Sequence, residues 1–338
     1  MIEAHGITKT FAGRRSGMLK RGSVRAVRGV DFTIPDRGAV SLIGESGCGK
    51  TTLGRILCGF EEFDSGDLIV DGQSLGSIKP KDRAPYFRRI QMIHQDPYSA
   101  LNPTKTISQI LADPLEVRAR QLDADGDWLT RRRAELLGLV GLDPDYALPR
   151  YPHMLSGGMR QRVVIARALT VDPAVLVADE AVSMIDVSLR LGILQLLREL
   201  RDEVGVSVLF ITHDVATARY VGVGGELYVL YRGRVVEQGS TDTIIQQPVH
   251  PYTQCLLSAI PVLRGIEQAG REQVVPRGPL DEGAEPPGCL FEPRCPFAAE
   301  DCRAAVPGLG QFGGTEQVHA CLHPARRSVV ATEVANAS

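Results

Sequence analysis

The feature that most constrains this chain is an apolar strand followed directly by a glycine-rich turn. The run Ala39–Ile43 is almost entirely apolar, which predicts a strand buried on both faces. The turn after it, residues 44–52, reads Gly-Glu-Ser-Gly-Cys-Gly-Lys-Thr-Thr, and a helical pattern continues to Gly59. This matches the Gly-x4-Gly-Lys-Thr pattern of a phosphate-binding loop between a strand and a helix. The chain is therefore expected to build an α/β fold around a phosphate site.

The chemistry of this loop explains its residue types. Glycines let successive backbone N–H groups turn inward around the β- and γ-phosphates, and the helix N-terminus adds positive potential. Lys50 supplies a charge at the γ-phosphate, and the hydroxyl of Thr51 is placed for Mg²⁺. The residues expected to hold the nucleotide are Gly44, Ser46, Gly47, Cys48, Gly49, Lys50, Thr51 and Thr52.

Acidic and imidazole side chains follow two later strands. Ala174–Ala178 is an apolar run that ends in Asp179 and Glu180, and Phe210–Thr212 leads to His213. Asp179 can orient Mg²⁺, and Glu180 lies one residue further on, where a carboxylate can polarise an attacking water. His213 can contact the γ-phosphate and hold the water in line. The strands alternate with helices, so these residues are expected on a mostly parallel sheet.

A second phosphate cradle lies between these segments. Leu155-Ser156-Gly157-Gly158 opens a helix, and its backbone N–H groups can bind an anion. A chain that binds one γ-phosphate has no need of two cradles. A dimer in which each Ser156–Gly158 segment closes on the nucleotide of the other subunit explains both.

Together these motifs resemble the ATP-binding subunit of an ABC transporter over residues 1–245. The resemblance implies a P-loop NTPase core with an antiparallel β subdomain, a helical insertion and ATP hydrolysis with Mg²⁺. It also implies that Gln95, in Ile93-His94-Gln95-Asp96, touches Mg²⁺ beside Thr51 and Asp179 and links the ATP site to the insertion. Phe11 occupies the place of the aromatic residue that stacks on adenine.

A narrower resemblance is to the dipeptide and oligopeptide importers. It is carried by Gln95–Pro103, by His250-Pro251-Tyr252-Thr253 and by Cys289–Pro296. It implies a second ATPase subunit in a heterodimer, two membrane permeases and an extracytoplasmic peptide-binding protein, with this chain at the cytoplasmic face of the membrane. Relatives also carry nickel chelates, and an ABC-type ATPase outside transport is a further alternative.

Four positions depart from the family pattern without removing a charged or phosphate-touching group. Met159 stands where the signature usually has Gln, and Ala181 stands where Pro usually follows the base. Met184 and Ile185 stand where the loop before Asp186 usually has Ala and Leu. These four residues leave open how fast the site would hydrolyse ATP, but not whether it binds ATP. Retained Glu180 and His213 argue against a regulatory subunit that binds ATP without hydrolysing it.

Composition excludes several other classes. Lys plus Arg is 38 and Asp plus Glu is 40, so the net charge of −2 does not suggest a nucleic-acid partner. No run of 18 apolar residues occurs, and no signal peptide is visible, so we expect a protein without a membrane span in a reducing compartment.

The chain divides on pattern into two parts. We expect an ATPase domain over residues 1–245, with a helical subdomain over about 99–155, and an extension over 246–338. Residues 12–28 are rich in Arg and predict a loop, either solvated or near phosphates or lipid head groups. A helical pattern broken by prolines, Pro114 among them, marks the subdomain, and Leu227–Val236 predicts a hairpin turning at Arg232-Gly233.

The extension carries a cluster of cysteines. Cys289, Cys295, Cys302 and Cys321 have the spacing Cys-x5-Cys-x6-Cys-x18-Cys, in a segment rich in Pro and Gly. Such a segment lacks a core of its own, and a metal centre can supply folding energy. The wide gaps favour a [4Fe–4S] cluster over Zn²⁺, with free thiols as the third alternative.

Overall fold

A computed structural model describes residues 1–12, 23–259, 272–279 and 285–329. The strands of this part of the chain belong to two sheets. In chain order they are β1 (Ile2–Ala12), β2 (Ser23–Ile34), β3 (Ala39–Ile43), β4 (Ser65–Val70), β5 (Gln73–Ser74), β6 (Ile90–Ile93), β7 (Val175–Asp179), β8 (Ser207–Thr212), β9 (Glu226–Tyr231), β10 (Arg234–Ser240), β11 (Gly310–Gln311) and β12 (Val318–His319).

Helices separate most of the strands after β3. In chain order they are α1 (Lys50–Leu57), α2 (Ala84–Phe87), α3 (Pro97–Ala100), α4 (Ile107–Leu122), α5 (Trp128–Leu139), α6 (Pro144–Ala147), α7 (Gly157–Leu169), α8 (Val187–Glu199), α9 (Val215–Val221), α10 (Thr241–Gln246) and α11 (Pro251–Ser258). Short 3-10 turns add Pro80–Asp82, Pro152–Met154, Glu292–Arg294 and Glu300–Arg303, and a π turn over Leu200–Val204 extends α8.

The larger sheet has eight strands in the order β11-β12-β10-β9-β3-β8-β7-β6. Strands β9, β3, β8, β7 and β6 run parallel, as predicted from the alternation of strands and helices. Every residue of β3, β7 and β8 is buried, because helices cover one face of the sheet and α1 with the smaller sheet covers the other. The carboxyl ends of β6, β7 and β8 therefore meet at one edge, which is where ligands bind in such sheets.

The smaller sheet is antiparallel and has four strands in the order β2-β1-β4-β5. It packs on α1 and on one face of the larger sheet through a shared core. The prediction of a loop over residues 12–28 is wrong from Ser23 onward, since Ser23–Arg28 begins β2. Its pairing with β1, with Val24 opposite Phe11, supplies the hydrogen bonds that the polar sequence did not reveal. Residues 13–22 lie outside the described part of the chain.

Helices α3–α6 lie in and next to the range of about 99–155 predicted for a helical subdomain, whose bounds stay a prediction. Helix α4 buries Ile107, Ile110, Leu111 and Leu115 on one face, which is the spacing of an amphipathic helix. The expected break at Pro114 is wrong, because α4 continues through it. Proline removes one backbone hydrogen bond, but the buried face on both sides of it holds the helix in place.

The extension lies against the larger sheet. The predicted hairpin of β9 and β10 is confirmed, and β12 pairs with the outer edge of β10, placing Glu237 opposite His319. A third apolar core joins this edge to α11 and to the segment around Phe291. The extension thus shares a core with the preceding residues, and the residue ranges of the two domains stay a prediction.

Candidate functional site

The phosphate loop connects β3 to α1 in a conformation that favours glycine at two positions. Gly47 has φ +78° and Gly49 has φ +109°, both in the left-handed region. A Cβ atom on Gly49 would lie 2.1 Å from the carbonyl oxygen of Ala26. The backbone conformation favours glycine at both positions, and at Gly49 the close approach of Ala26 also excludes a side chain.

Lys50 lies folded into this cradle. The residue is 5% exposed, and Nζ donates hydrogen bonds to the carbonyl oxygens of Gly44 at 2.8 Å and Glu45 at 2.9 Å. The thiol of Cys48 is 3.7 Å from Nζ, and burial raises the pKa of that thiol. The loop therefore holds one fixed positive charge beside a neutral thiol, which suits an incoming phosphate.

Asp179 and Thr51 provide two oxygen ligands beside the loop. Thr51 Oγ1 donates to Asp179 Oδ1 across 3.1 Å, which joins the first turn of α1 to the end of β7. Asp179 is buried, and this burial raises its pKa, although the hydrogen bond from Thr51 lowers it. A divalent cation would favour the charged carboxylate, so the pair fits the hard oxygen chemistry of Mg²⁺.

Glu180 is flanked by two of the residues predicted to act with it. Gln95 Nε2 donates to Glu180 Oε2 at 3.1 Å, and His213 Nδ1 lies 3.1 Å from Glu180 Oε1. Gln95, Glu180 and His213 follow the adjacent strands β6, β7 and β8, so the parallel sheet brings them together. Glu180 itself has φ +47°, a strained value that its backbone hydrogen bond to Ile211 at 2.9 Å helps to hold.

One cavity unites most of the predicted nucleotide residues. It is open to solvent and lined by Ala26, Ser46, Gly47, Gly49, Lys50, Thr51, Thr52, Gln95 and Glu180. An adjoining cavity includes Cys48 and Glu45. Phe11 is not among the described residues that line either cavity. It lies in β1, with Lys9 Nζ 5.3 Å from its ring centroid, so its expected contact with adenine stays a prediction.

The second cradle is separate from that cavity within one chain. Ser156 is the N-cap of α7 and accepts a hydrogen bond from the Met159 N–H at 3.3 Å. Ser156 is exposed, Gly157 is partly exposed and Gly158 is buried, and none of the three is a lining residue of the phosphate-loop cavity. Within one chain the signature is therefore separate from the phosphate-loop cavity, and Ser156 is its exposed residue.

The four departures from the family pattern have structural explanations in three cases. Ala181 and Ile185 are buried and fill the core beneath the Glu180 turn, and Met159 packs against the same core. Met184 is exposed, and nothing in the structure explains it.

The four clustered cysteines line a single cavity in the extension. Cys289, Cys295, Cys302 and Cys321 share it with His250, Phe291 and His323. Burial raises the pKa of Cys289, that of Cys295 to about 11 and that of Cys321 to about 12. Burial thus favours the protonated form of these three thiols, and a metal would have to displace their protons.

A tighter group of ligand atoms lies on the rim of the same cavity. Asp301, Cys302 and His323 bring one ligand atom each within 4.8 Å of the others, and His323 Nε2 lies 2.8 Å from Asp301 Oδ1. Among the described residues, this is the group of three His, Cys, Asp or Glu side chains whose ligand atoms all lie within 4.8 Å of one another. In the described structure no three of the four cysteine sulfurs all lie within 4.8 Å of one another, whereas thiolates around one zinc ion lie about 4 Å apart at a Zn–S distance of about 2.3 Å.

Sequence reasoning missed residues of the extension that touch the phosphate loop. Tyr252 Oη accepts a hydrogen bond from the Glu45 N–H at 2.8 Å, and Arg294 pairs with the Glu45 carboxylate at 2.9 Å. Both residues lie in segments that carried the narrower resemblance. The segments were visible in the sequence, but their contact with Glu45 was not.

Comparison with known proteins agrees with this geometry. The ABC transporter family model matches residues 27–183, and the model of the oligopeptide/dipeptide transporter C-terminal region matches residues 236–302. The dipeptide transport ATP-binding protein DppF of Haemophilus influenzae is 40% identical over 327 residues, which is 96% of this chain and 96% of that protein. The chain belongs to the ABC transporter family of ATP-binding proteins.

Further relatives agree with this assignment. The oligopeptide transport ATP-binding protein AppF of Bacillus subtilis is 38% identical, with 91% of this chain and 92% of that protein covered. A solved dimeric structure of the ATP-binding cassette MJ0796, in a post-hydrolysis state bound to ADP and phosphate, is 28% identical with a TM-score of 0.61. The match covers 71% of this ABC ATPase and 99% of the solved MJ0796 chain, which confirms the predicted cassette fold.

The family membership establishes the activity of the chain as ATP hydrolysis coupled to a transporter. Such importer ATPases are peripheral proteins at the cytoplasmic face of the membrane and act with membrane permeases. Among the described residues, no helix combines the length and apolar character needed to cross a bilayer.

Proposed function

We propose that this ABC ATPase powers the import of dipeptides and oligopeptides through a pair of membrane permeases. The observation that carries the proposal is the convergence of Gln95, Glu180 and His213 at the phosphate-loop cavity, in a chain with the oligopeptide/dipeptide C-terminal region. The names of its curated relatives, which describe dipeptide and oligopeptide transport, support the choice of cargo.

The phosphate loop supplies the binding step. Its backbone N–H groups and the ammonium of Lys50 hold the β- and γ-phosphates, and Lys50 exchanges its carbonyl partners for phosphate oxygens. Thr51, Asp179 and Gln95 are the side chains that would hold Mg²⁺, which offsets phosphate charge when it is bound with ATP. Phe11 is the residue proposed to stack on adenine.

Glu180 supplies the general base for hydrolysis. Its carboxylate polarises a water for in-line attack on the γ-phosphate, while Gln95 and His213 fix the two carboxylate oxygens. Charge that develops on the transferred phosphoryl group is stabilised by Lys50. The reaction therefore needs the residues that follow β6, β7 and β8 to lie side by side.

We propose that the working unit is a heterodimer with a second ABC ATPase subunit. The exposed Ser156 and the neighbouring glycines lie outside the phosphate-loop cavity of their own chain and are available to a partner's nucleotide. The dimeric assembly of the MJ0796 cassette supports this arrangement. An extracytoplasmic peptide-binding protein would deliver cargo to the permeases.

The helical subdomain is proposed as the permease-docking surface. Gln95 lies between Glu180 and α3, the first helix of that subdomain, so a change at the phosphate site can move one part against the other. Cross-links from cysteines placed in residues 99–155 to a cytoplasmic permease loop would support it. Cross-links confined to the region after residue 246 would contradict it.

The four cysteines are proposed to hold a [4Fe–4S] cluster, with zinc as the alternative. The wide placement of four thiols around one cavity suits the larger cube, whereas Asp301, Cys302 and His323 form the more compact set that suits one zinc ion. A cluster would contribute folding energy to a segment with little core of its own.

A reconstituted importer tests the transport proposal. This chain, its second ATPase subunit and two permeases are placed in vesicles with a peptide-binding protein, and ATP hydrolysis is measured with dipeptide, longer peptide or nickel chelate present. Peptide-stimulated hydrolysis with uptake supports the proposal. Stimulation by nickel chelate alone, or hydrolysis with no permease dependence, would assign the ATPase to another cargo or process.

A further inference from the structure

The first residue of the phosphate loop after Gly44 is held by the C-terminal extension. The Glu45 N–H donates to Tyr252 Oη at 2.8 Å, and the Glu45 carboxylate accepts one hydrogen bond from each terminal nitrogen of Arg294, both at 2.9 Å. The carbonyl oxygen of the same residue accepts from Lys50 Nζ at 2.9 Å. Glu45 thus connects two residues of the extension to the lysine of the nucleotide site.

The ion pair is stronger than an ordinary surface pair. It is bidentate, and the side chain of Arg294 is 11% exposed while that of Glu45 is 30% exposed. Arg294 Nε also donates to the Gly278 carbonyl at 3.0 Å, so the guanidinium makes hydrogen bonds on each of its nitrogens. Arg294 is therefore held in place before a nucleotide arrives.

An aromatic cluster fixes the two residues relative to each other. The rings of Tyr231, Tyr252 and Phe291 have centroids 4.5 to 5.4 Å apart, and the guanidinium of Arg294 lies about 6 Å from two of them. Phe291 also lines the cysteine cavity, and Arg294 directly precedes Cys295. Arg294 therefore connects the aromatic cluster to the cysteine segment.

We propose that Arg294 and Tyr252 are positioning residues for the phosphate loop, through which the C-terminal extension raises the affinity of the site for nucleotide. The proposal rests on nucleotide binding at this loop but on neither the cargo nor the metal. Holding Glu45 lowers the number of loop conformations, so less ordering is left for the nucleotide to impose. By linkage, bound nucleotide also protects the extension.

Equilibrium binding of MgATP to the full chain is the test, with each variant also followed by thermal unfolding. Arg294→Met keeps an unbranched side chain against Tyr231 and Phe291 but removes the charge, and we expect it to weaken binding about tenfold. Arg294→Lys should recover part of that loss. Arg303→Met is the matched control, since Arg303 pairs with Glu292 in the same segment but is 76% exposed.

A double-mutant cycle separates positioning from general stability. If the pair acts as a unit, Arg294→Met should have no further effect on binding in a Glu45→Gln background. Hydrogen exchange of residues 44–52 should rise in Arg294→Met and not in Arg303→Met. Additive effects, unchanged affinity, or equal losses in both arginine variants would overturn the proposal.

A second variant covers the case in which Arg294→Met does not fold. Tyr252→Phe removes only the hydroxyl that accepts from the Glu45 N–H, and it should weaken MgATP binding about threefold or more. Unchanged affinity in a folded Tyr252→Phe protein would contradict the proposal. Failure of the wild-type chain to bind MgATP would instead contradict the nucleotide site itself.

Discussion

The side-chain amide of Gln95 donates a hydrogen bond to the carboxylate of Glu180 across 3.1 Å. Gln95 follows β6 and precedes the helical subdomain, whereas Glu180 directly follows the acidic strand β7. The contact therefore connects the proposed base to the part of the chain proposed to meet a permease. A γ-phosphate that displaces Gln95 from Glu180 would therefore change both the position of the proposed base and that of the helical subdomain.

Glu180→Gln is expected to keep MgATP binding and to lower turnover about a hundredfold or more, because the amide cannot accept a proton from water. The new amide remains a polar partner for Gln95 and His213, so the positions of both side chains should be kept. Steady-state hydrolysis and size-exclusion chromatography with ATP are the measurements, and a stable dimer should accumulate. Glu203→Gln, at an exposed position, is the control. Wild-type turnover in Glu180→Gln would assign the base elsewhere.

Lys50→Ala is expected to abolish measurable MgATP binding. The substitution removes the only ammonium group that donates into the carbonyl oxygens of the loop in the described structure, and with it the charge that meets the γ-phosphate. Fluorescence of a labelled ATP analogue measures the loss. Lys81→Ala, at an exposed position outside the loop, should bind normally, and equal affinity of both variants would contradict the assigned role of Lys50.

Gly49→Ala is expected to destabilise the loop and remove nucleotide binding together. Its Cβ atom would meet the Ala26 carbonyl oxygen at 2.1 Å, and φ +109° strains any side chain there by about 1–3 kcal/mol. Gly126→Ala offers a control, since its Cβ atom would meet nothing within 4 Å. Thermal unfolding and MgATP affinity should change in the first variant only.

The buried carboxyl group of Glu237 predicts a pH-dependent stability. Burial raises its pKa to about 7, although hydrogen bonds from Val249, His250 and Gln317 lower it. Between the ordinary value of 4.5 and about 7 the folded chain binds more protons than the unfolded chain, so this group's contribution falls as pH rises. Relative to Glu237→Gln, the free energy of unfolding should drop by up to about 3 kcal/mol from pH 4.5 to 7.5.

Burial also lowers the pKa of His250 to about 3. Between pH 3 and 6.5 the contribution of His250 to the free energy of unfolding therefore rises with pH, opposite to that of Glu237. This contribution is present in both proteins and cancels in the comparison, which chemical denaturation at each pH provides. A difference between wild type and Glu237→Gln that stays constant with pH would show that Glu237 does not titrate in this range.

The cysteine cavity predicts a metal-dependent fold of the extension. Anaerobic purification should yield a brown protein with broad absorption near about 400 nm and about four irons per chain if a cube is bound. Cys295→Ser should lose the colour and unfold at lower temperature, whereas Cys58→Ser, at a buried position outside the cluster, should keep the colour. A colourless protein with one zinc would select the alternative, and a metal-free folded extension would exclude both.

The phosphate loop, the acidic strand end and the signature were all predictable from the sequence. Each is a short contiguous pattern whose backbone geometry depends on its own residues, as the φ values of Gly47 and Gly49 show. The predicted parallel sheet also placed Glu180 and His213 directly after buried strands, and the structure makes those strands neighbours. The antiparallel strand at Ser23–Arg28 was missed since its partner, not its own pattern, supplies its hydrogen bonds.

Tertiary structure alone decided the contacts between distant parts of the chain. Glu45 and Arg294 are 249 residues apart, and Glu237 is buried by Gln317 and His250 from the extension. No local pattern marks such pairs, because their energy comes from excluding water between surfaces that meet only after the sheet has formed. The sequence thus determined which chemistry this chain performs, and the fold decided which residues hold that chemistry in place.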